Sequence, residues 1–293
     1  IFDEPLIGFA SGSDQLFEQY KTIIGPEHLT PKEALLLSLK KRVGRPDEGP
    51  ARDEHCADPD AQKRVGRPEQ EFPSGGKHSK LGAETGPELI PNECSVISWV
   101  LPIHKATRES NTAQTRIPSK QWAHTRHYGE QFNNTLRAYV VDLLQSMGYE
   151  AAAPMLEQYF TRLDNDKGPF SNWSERHAAY AAGLGTFSLS DGFITERGIA
   201  HRCGSVVTTL KLPPSPRTAE PYANCLYYLD KSCVACITRC PAGAISKNGH
   251  DKIRCESYLN QEIGYVKQKY RVDTAGCGLC QTNVPCEFSN PTA

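Results

Sequence analysis

The cysteines decide most of what this chain can fold around. Of eleven, eight fall after residue 224: Cys225, Cys233, Cys236, Cys240, Cys255, Cys277, Cys280 and Cys286. Cys56, Cys94 and Cys203 are scattered through the rest and read as buried or incidental thiols. Cys203, beside His201 and Arg202 and ahead of a strand, is the one of the three to watch. An odd total with tight C-x2-C pairs does not suit a secreted disulfide framework; clustered thiolates in a reducing cytoplasm suit metal.

The spacing narrows the metal. In two-cluster ferredoxins a C-x2-C-x2-C-x3-C-P run gives three thiolates to one [4Fe–4S] cluster and its last to the other. Here Cys233-Val-Ala-Cys236-Ile-Thr-Arg-Cys240-Pro241 keeps the last three cysteines and the proline. The first position holds Asp230, and Cys225, five residues earlier, is the natural substitute. The second half is Cys277-Gly-Leu-Cys280, then Cys286 after a longer spacer, with Cys255 between the two runs. The crossed rule then assigns Cys225, Cys233, Cys236 and Cys286 to one cluster and Cys240, Cys255, Cys277 and Cys280 to the other. No thiolate is left over. Two four-cysteine zinc sites would use the same eight residues. The C-x3-C-P run and the small residues of Ala242-Gly243-Ala244 favour the bulkier cofactor. Asp230 as an oxygen ligand is a minor alternative.

The remaining chain is long enough, at 293 residues, to bury a sizeable core. Thr30-Pro31-Lys32-Glu33 predicts a capped helix start running through Leu35, Leu36 and Leu39. Residues 44–91 are polar and rich in Pro and Gly, and the hexapeptide KRVGRP occurs at Lys41–Pro46 and Lys63–Pro68; this reads as a surface excursion. Strands are expected over Cys94–Ile103 and Ser205–Leu212. Helices are expected over Phe132–Met147, with Leu136, Tyr139, Val140, Leu143 and Leu144 on one face, and over Ser174–Leu184, ending at Gly185. Pro213–Pro221 reads as a linker. The class is therefore α+β: an α/β-type domain over 1–215, then a ferredoxin-like double-cluster module over 216–293. Asn133-Asn134-Thr135 matches a glycosylation sequon, by chance in a predicted cytosolic helix.

Charge and hydropathy exclude more than they assign. Lys+Arg number 33 against Asp+Glu 34, a balance that does not predict a nucleic-acid partner. Mean hydropathy is −0.52 and no apolar run approaches a membrane span, so a cytoplasmic location without membrane contact is expected. No signal peptide or twin-arginine start is visible in the sequence as given, which begins at Ile1.

Several blocks resemble a known family. They are Ala178–Gly185, Gly192-Phe-Ile-Thr195 with Gly198, Val206–Leu212, Cys233–Ile245 and Ile253-Arg-Cys255-Glu-Ser-Tyr-Leu259. In order and spacing they are similar to the epoxyqueuosine reductases and, more distantly, the reductive dehalogenases. The resemblance implies two [4Fe–4S] clusters feeding a cobalamin, with an electron donor such as ferredoxin or flavodoxin and a small-molecule substrate or corrinoid as acceptor. Gly183, Gly185, Gly192 and Gly198 would let backbone approach the cofactor, or would simply make turns. The acid that epoxyqueuosine reductases carry in a D-S-A-P-like segment falls on Ala151 of Ala151-Ala-Ala-Pro154. By analogy with the dehalogenases, Tyr180 becomes the candidate proton donor, with Arg176 one helical turn away and His177 beside it, the cation lowering the phenol pKa. The expected activity is an iron–sulfur, cobalamin-dependent reductase suited to anaerobic conditions. The alternative is a ferredoxin-like electron-transfer protein that docks to a redox partner without chemistry of its own.

Overall fold

The computed structural model describes residues 1–43 and 93–293. The surface excursion expected at 44–91, the second KRVGRP copy and Cys56 lie outside the described residues. The chain opens with β1 (Leu6–Ser11), α1 (Leu16–Ile23) and α2 (Pro31–Val43). Then come β2 (Ser95–Pro102), α3 (Lys105–Thr112), α4 (Lys120–Ser146) and the short β3 (Ala151–Ala152). Hairpin β4 (Arg162–Asn165) with β5 (Gly168–Ser171) precedes α5 (Glu175–Ala181), and hairpin β6 (Thr186–Phe187) with β7 (Phe193–Ile194) follows it. β8 (His201–Thr208) rejoins the main sheet. The cysteine-rich segment holds α6 (Leu226–Asp230), α7 (Ala235–Arg239), hairpin β9 (Ile245–Ser246) with β10 (Gly249–His250), and α8 (Lys252–Tyr270).

Strands β1-β2-β8-β3 form one antiparallel sheet in that order. Its faces follow the period-2 rule, and both are covered, which makes the class α+β. Val96 and Val207 pack with Phe17, Tyr20, Leu35 and Trp173 on the α1/α2 side. Trp99, Leu101 and Val206 pack with Leu144, Leu136 and Val140 of α4 on the other. Trp99 pairs with Gly204 across the strands, and a Cβ at Gly204 would lie 2.4 Å from the indole ring. That glycine is the space the tryptophan occupies.

Local signals explain where elements begin and end. Thr30 Oγ1 accepts from the Glu33 amide, and the Glu33 carboxylate accepts from the Thr30 amide, the reciprocal cap expected from the sequence. The expected α4 start at Phe132 is twelve residues late, because Ser119 caps the helix by accepting from the Trp122 amide. Its buried stripe runs through Asn133, Arg137 and Leu144, so Tyr139, 63% exposed, and Leu143 face outward instead of joining the core. α5 ends at Ala181, short of the expected Leu184, since Gly183 at φ +74 already turns the chain. β8 starts and stops earlier than expected; β2 begins at Ser95, opposite Thr208, and offers no further partner. The Pro213–Pro221 linker is a strap on β1: the Ser215 amide donates to Phe9 O, and the Phe9 amide to Ser215 Oγ. The expected boundary at 215/216 is bridged by a shared core of Leu189, Ile194 and Ile199 with Cys225, Tyr227, Ile245 and Val284.

One polar network closes the open edge of β8. Arg137, 1% exposed, donates to Glu130 at 2.9 Å, to Glu175 at 3.1 Å and to the Cys203 carbonyl at 3.0 Å. Asn133 shares that carbonyl at 2.8 Å and accepts from Trp99 Nε1. The strand-edge acceptor is thus paired and shielded. Arg137→Ala would leave two enclosed carboxylates without their shared cation, so urea unfolding should show a loss of about 3–5 kcal/mol. Tyr139→Ala, on the same helix but outside, should stay within about 0.5 kcal/mol of the parent. Burial alone would raise the Glu130 carboxyl, but the charges of Arg202 and Arg137 and their hydrogen bonds outweigh it and hold it at about 2, against an ordinary 4.5. Its contribution to stability is therefore complete above pH 4.5 and is lost as pH falls toward 2. Urea midpoints measured through that window should fall, and Glu130→Gln should flatten the fall.

Candidate metal centre

The cysteines are positioned by short helices and tight turns. Cys225 caps α6, and Cys236 lies within α7, which ends at Cys240. α6 stops at Lys231, whose φ of +63 reverses the chain toward Cys233. After Pro241 the Ala244 amide donates to Cys240 Sγ at 3.3 Å. Cys255 sits in the first turns of α8, which Asp251 caps by accepting from the Arg254 amide. Arg239 ties the two runs together: its Nε reaches the carbonyls of Thr282 at 3.0 Å and Leu279 at 3.3 Å, and its Nη1 the Gln114 carbonyl at 2.9 Å.

The thiols gather in two neighbourhoods that mix the two runs. Cys225, Cys233, Cys236 and Cys286 line one partly open apolar hollow, walled by Leu189, Ile194 and Val284. Burial first, then the neighbouring Cys236, Cys225 and Cys233, push the Cys286 thiol up to about 12; burial with Cys225 and Cys233 pushes Cys236 up to about 11. Cys277 is raised to about 11 by burial, with Cys255 and Cys240 adding. Cys280 is raised well above the ordinary thiol range by burial, then by Cys277, Cys255, Cys240 and last Cys236. Crowded, desolvated thiols resist ionisation until a cation arrives to neutralise them. Among the described residues no three His, Cys, Asp or Glu side chains close on a point as ligands of a single ion do.

Asp230 is exposed and turns its carboxylate onto the Ser232 amide, away from a ligand's task. Cys94 and Cys203 are buried in the N-terminal core, where burial first raises their thiols to about 11 and about 12.

The other candidate residues are used differently from the expectation. The Tyr180 hydroxyl donates to the carbonyls of Thr218 and Ala219 in the strap, both at 3.1 Å. The cation on its ring is Arg217, 5.6 Å from the centroid, whereas Arg176 turns outward to the Asp191 carbonyl. Burial raises the Tyr180 phenol and Arg217 offsets this only in part, the reverse of the lowering anticipated from Arg176. His177 is packed against Tyr20 and Phe187, its Nδ1 on Ser174 Oγ, and burial holds it well below the ordinary histidine range. The four glycines meet the protein's own atoms. A Cβ would lie 2.1 Å from Pro216 O at Gly183, 2.2 Å from Ile194 O at Gly185, 2.4 Å from Ile199 Cδ1 at Gly192 and 2.4 Å from Glu287 O at Gly198. Ala151 is fully buried and pairs with Thr208. Sequence reasoning missed Arg239 and Arg217; both act on carbonyls or rings distant in sequence, and no local signal marks them.

No family model matches the chain. It is 30% identical over 118 residues to an epoxyqueuosine reductase of Bacillus anthracis, and 29% identical over 119 residues to one of Staphylococcus aureus. Each match spans 38% of this chain and 29% of the relative's length. Solved epoxyqueuosine reductases align over 98% of the chain, that of Streptococcus thermophilus at 16% identity and a TM-score of 0.45 over 64% of its length. A second, solved with an epoxyqueuosine-modified tRNA-Tyr stem loop, aligns at 20% identity and a TM-score of 0.45 over 62% of its length. The expectation against nucleic acid is corrected to this extent: net charge alone does not decide it, because phosphate recognition depends on a local basic surface. No described helix is long and apolar enough to cross a membrane. By sequence, at modest identity, the chain is a divergent relative of the epoxyqueuosine reductases.

Proposed function

We propose that this chain is an iron–sulfur oxidoreductase that moves electrons through two [4Fe–4S] clusters. One is held by Cys225, Cys233, Cys236 and Cys286, the other by Cys240, Cys255, Cys277 and Cys280. The observation that carries the reading is the company of Cys286 and Cys240. Cys286 shares its hollow with the three early thiols, and the neighbours of Cys277 and Cys280 include Cys240. Each run thus lends its last cysteine to the other site, the habit of two-cluster ferredoxins. Interleaved ligands also keep the clusters close, which electron transfer needs. A cuboidal cluster holds its thiolates farther apart than zinc, which draws four sulfurs to about 2.3 Å from one ion.

The chain's residues do not fit the cobalamin cradle that the family resemblance implied. The glycines are filled by the protein's own atoms, and Tyr180 is committed to the strap. The electron acceptor is a bound small molecule or a docked redox partner, and the donor a ferredoxin- or flavodoxin-type protein. A tRNA substrate, as for the relatives, would need a proton donor other than the position of Ala151.

Iron analysis of paired variants after anaerobic reconstitution tests this. The parent should hold about eight irons, and Cys240→Ser/Cys255→Ser, within one proposed set, about four. Cys236→Ser/Cys240→Ser, adjacent in sequence but in different sets, should hold almost none. The opposite ranking of the two double variants would refute the crossed assignment. Zinc in place of iron and sulfide would refute the clusters.

A further inference from the structure

A second hollow, polar and partly open, lies between α4, β8 and the Cys277–Cys280 turn. Trp122, Arg126, His201, Arg202 and Gln281 line it, with Gly276 and Gly278. The two glycines bracket Cys277, and Gln281 follows Cys280, so the hollow borders the second thiol foursome. Its arginines are not equivalent. Arg202 gives Nε and Nη2 to Glu130, and Arg137 is satisfied four ways. Arg126 has one anionic neighbour among the described residues, Glu130 Oε2 at 3.7 Å, beyond hydrogen-bond distance and on an oxygen Arg202 already occupies. Its side chain is 35% exposed and makes no hydrogen bond within the described residues. The positive charge of Arg202 first, then burial, lowers it to about 10. Two guanidinium groups crowd one space, one of them with unused donors, and the charges around them, Arg126, Arg137 and Arg202 against Glu130 and Glu175, leave a cation in excess. Such an arrangement is stabilised by an anion that can take a forked pair of hydrogen bonds.

We propose that this hollow binds a small oxyanion, a phosphate or a carboxylate, on Arg126 with support from Arg202. Trp122 walls the site, and the Gln281 amide is the neutral donor or acceptor at its rim. His201 is not an added cation: its Nε2 bonds the Phe193 carbonyl at 2.7 Å, and burial first, with Arg202 and Arg176 adding, lowers it to about 4. The site stands on α4 and β8. Only its role, holding the anionic group of an electron-accepting substrate beside the second cluster, rests on the two-cluster reading.

The test is calorimetric titration of the full chain, reconstituted without oxygen, with inorganic phosphate in one arm and succinate in the other, iron being measured on the same samples. Saturable one-to-one binding is expected in at least one arm, and the arm identifies the anion. Arg126→Gln should weaken it at least about tenfold at unchanged iron content and unchanged melting temperature, the loss expected for one forked charge-assisted contact. Arg126→Lys, which keeps the charge but not the fork, should recover part of the affinity; it serves as the second variant if Arg126→Gln folds poorly. Iron-loaded protein that binds neither anion, or Arg126→Gln binding as tightly as the parent, overturns the site and leaves the clusters standing. Iron-free protein that binds through Arg126 supports the site and sinks the cluster reading alone.

Discussion

The arrangement of the thiols depends on a few hydrogen bonds that return the end of the chain to the body. The Ile199 amide donates to the Cys286 carbonyl at 2.8 Å, and the Ala200 amide to that of Glu287 at 3.3 Å. Gly198 lets the two segments touch, since any side chain there would strike the Glu287 backbone. Glu287 is itself buried, bonded to Arg108 at 3.1 Å and to the Asn283 amide at 2.6 Å. Arg108 holds the Ile103 carbonyl as well, so α3 and the end of β2 are part of the same clamp. Without it, Cys286 would have no reason to face Cys225, Cys233 and Cys236. The long spacer after Cys280, odd as a motif, is the length of chain needed to reach this anchor.

The sheet supplies the rigid frame for both hollows. β8 carries Arg202 and His201 to the polar one, and the backbone just before it, at Ile199, holds the Cys286 carbonyl beside the thiol-lined one. Its free edge is covered by Asn133 and Arg137, so the strand that positions both hollows is held by a buried charge network. Such networks cost desolvation and are sensitive to the loss of one partner. The same α4 that seals the edge projects Arg126, so the polar hollow inherits its shape from the network that stabilises the sheet.

The cysteine spacing is the part of the proposed site that could be read from the sequence, because ligand order is a local, covalent property of it. The capping box at Thr30 and Glu33 and strand β2 were legible for the same reason: their signals lie within a few residues. What was not legible depends on distant partners. Nothing near Tyr180 indicates that its cation is Arg217, thirty-seven residues on, or that its hydroxyl is taken by the strap. The glycines were recognisable as positions of close approach, but not what approaches, which is the protein's own backbone in three of four cases. Tyr139 and Leu143 fell one step off the buried stripe because Arg137, a charged residue, occupies its centre. An arginine buried in a core helix contradicts simple hydrophobic patterning and is explained only by Glu130 and Glu175 around it.

The most direct measurement is diffraction at the iron absorption edge from crystals grown without oxygen. Two compact groups of iron are expected, one bounded by Cys225, Cys233, Cys236 and Cys286 and one by Cys240, Cys255, Cys277 and Cys280. A group bounded by Cys233, Cys236 and Cys240 together, or single metal ions at the C-x2-C pairs, would contradict this.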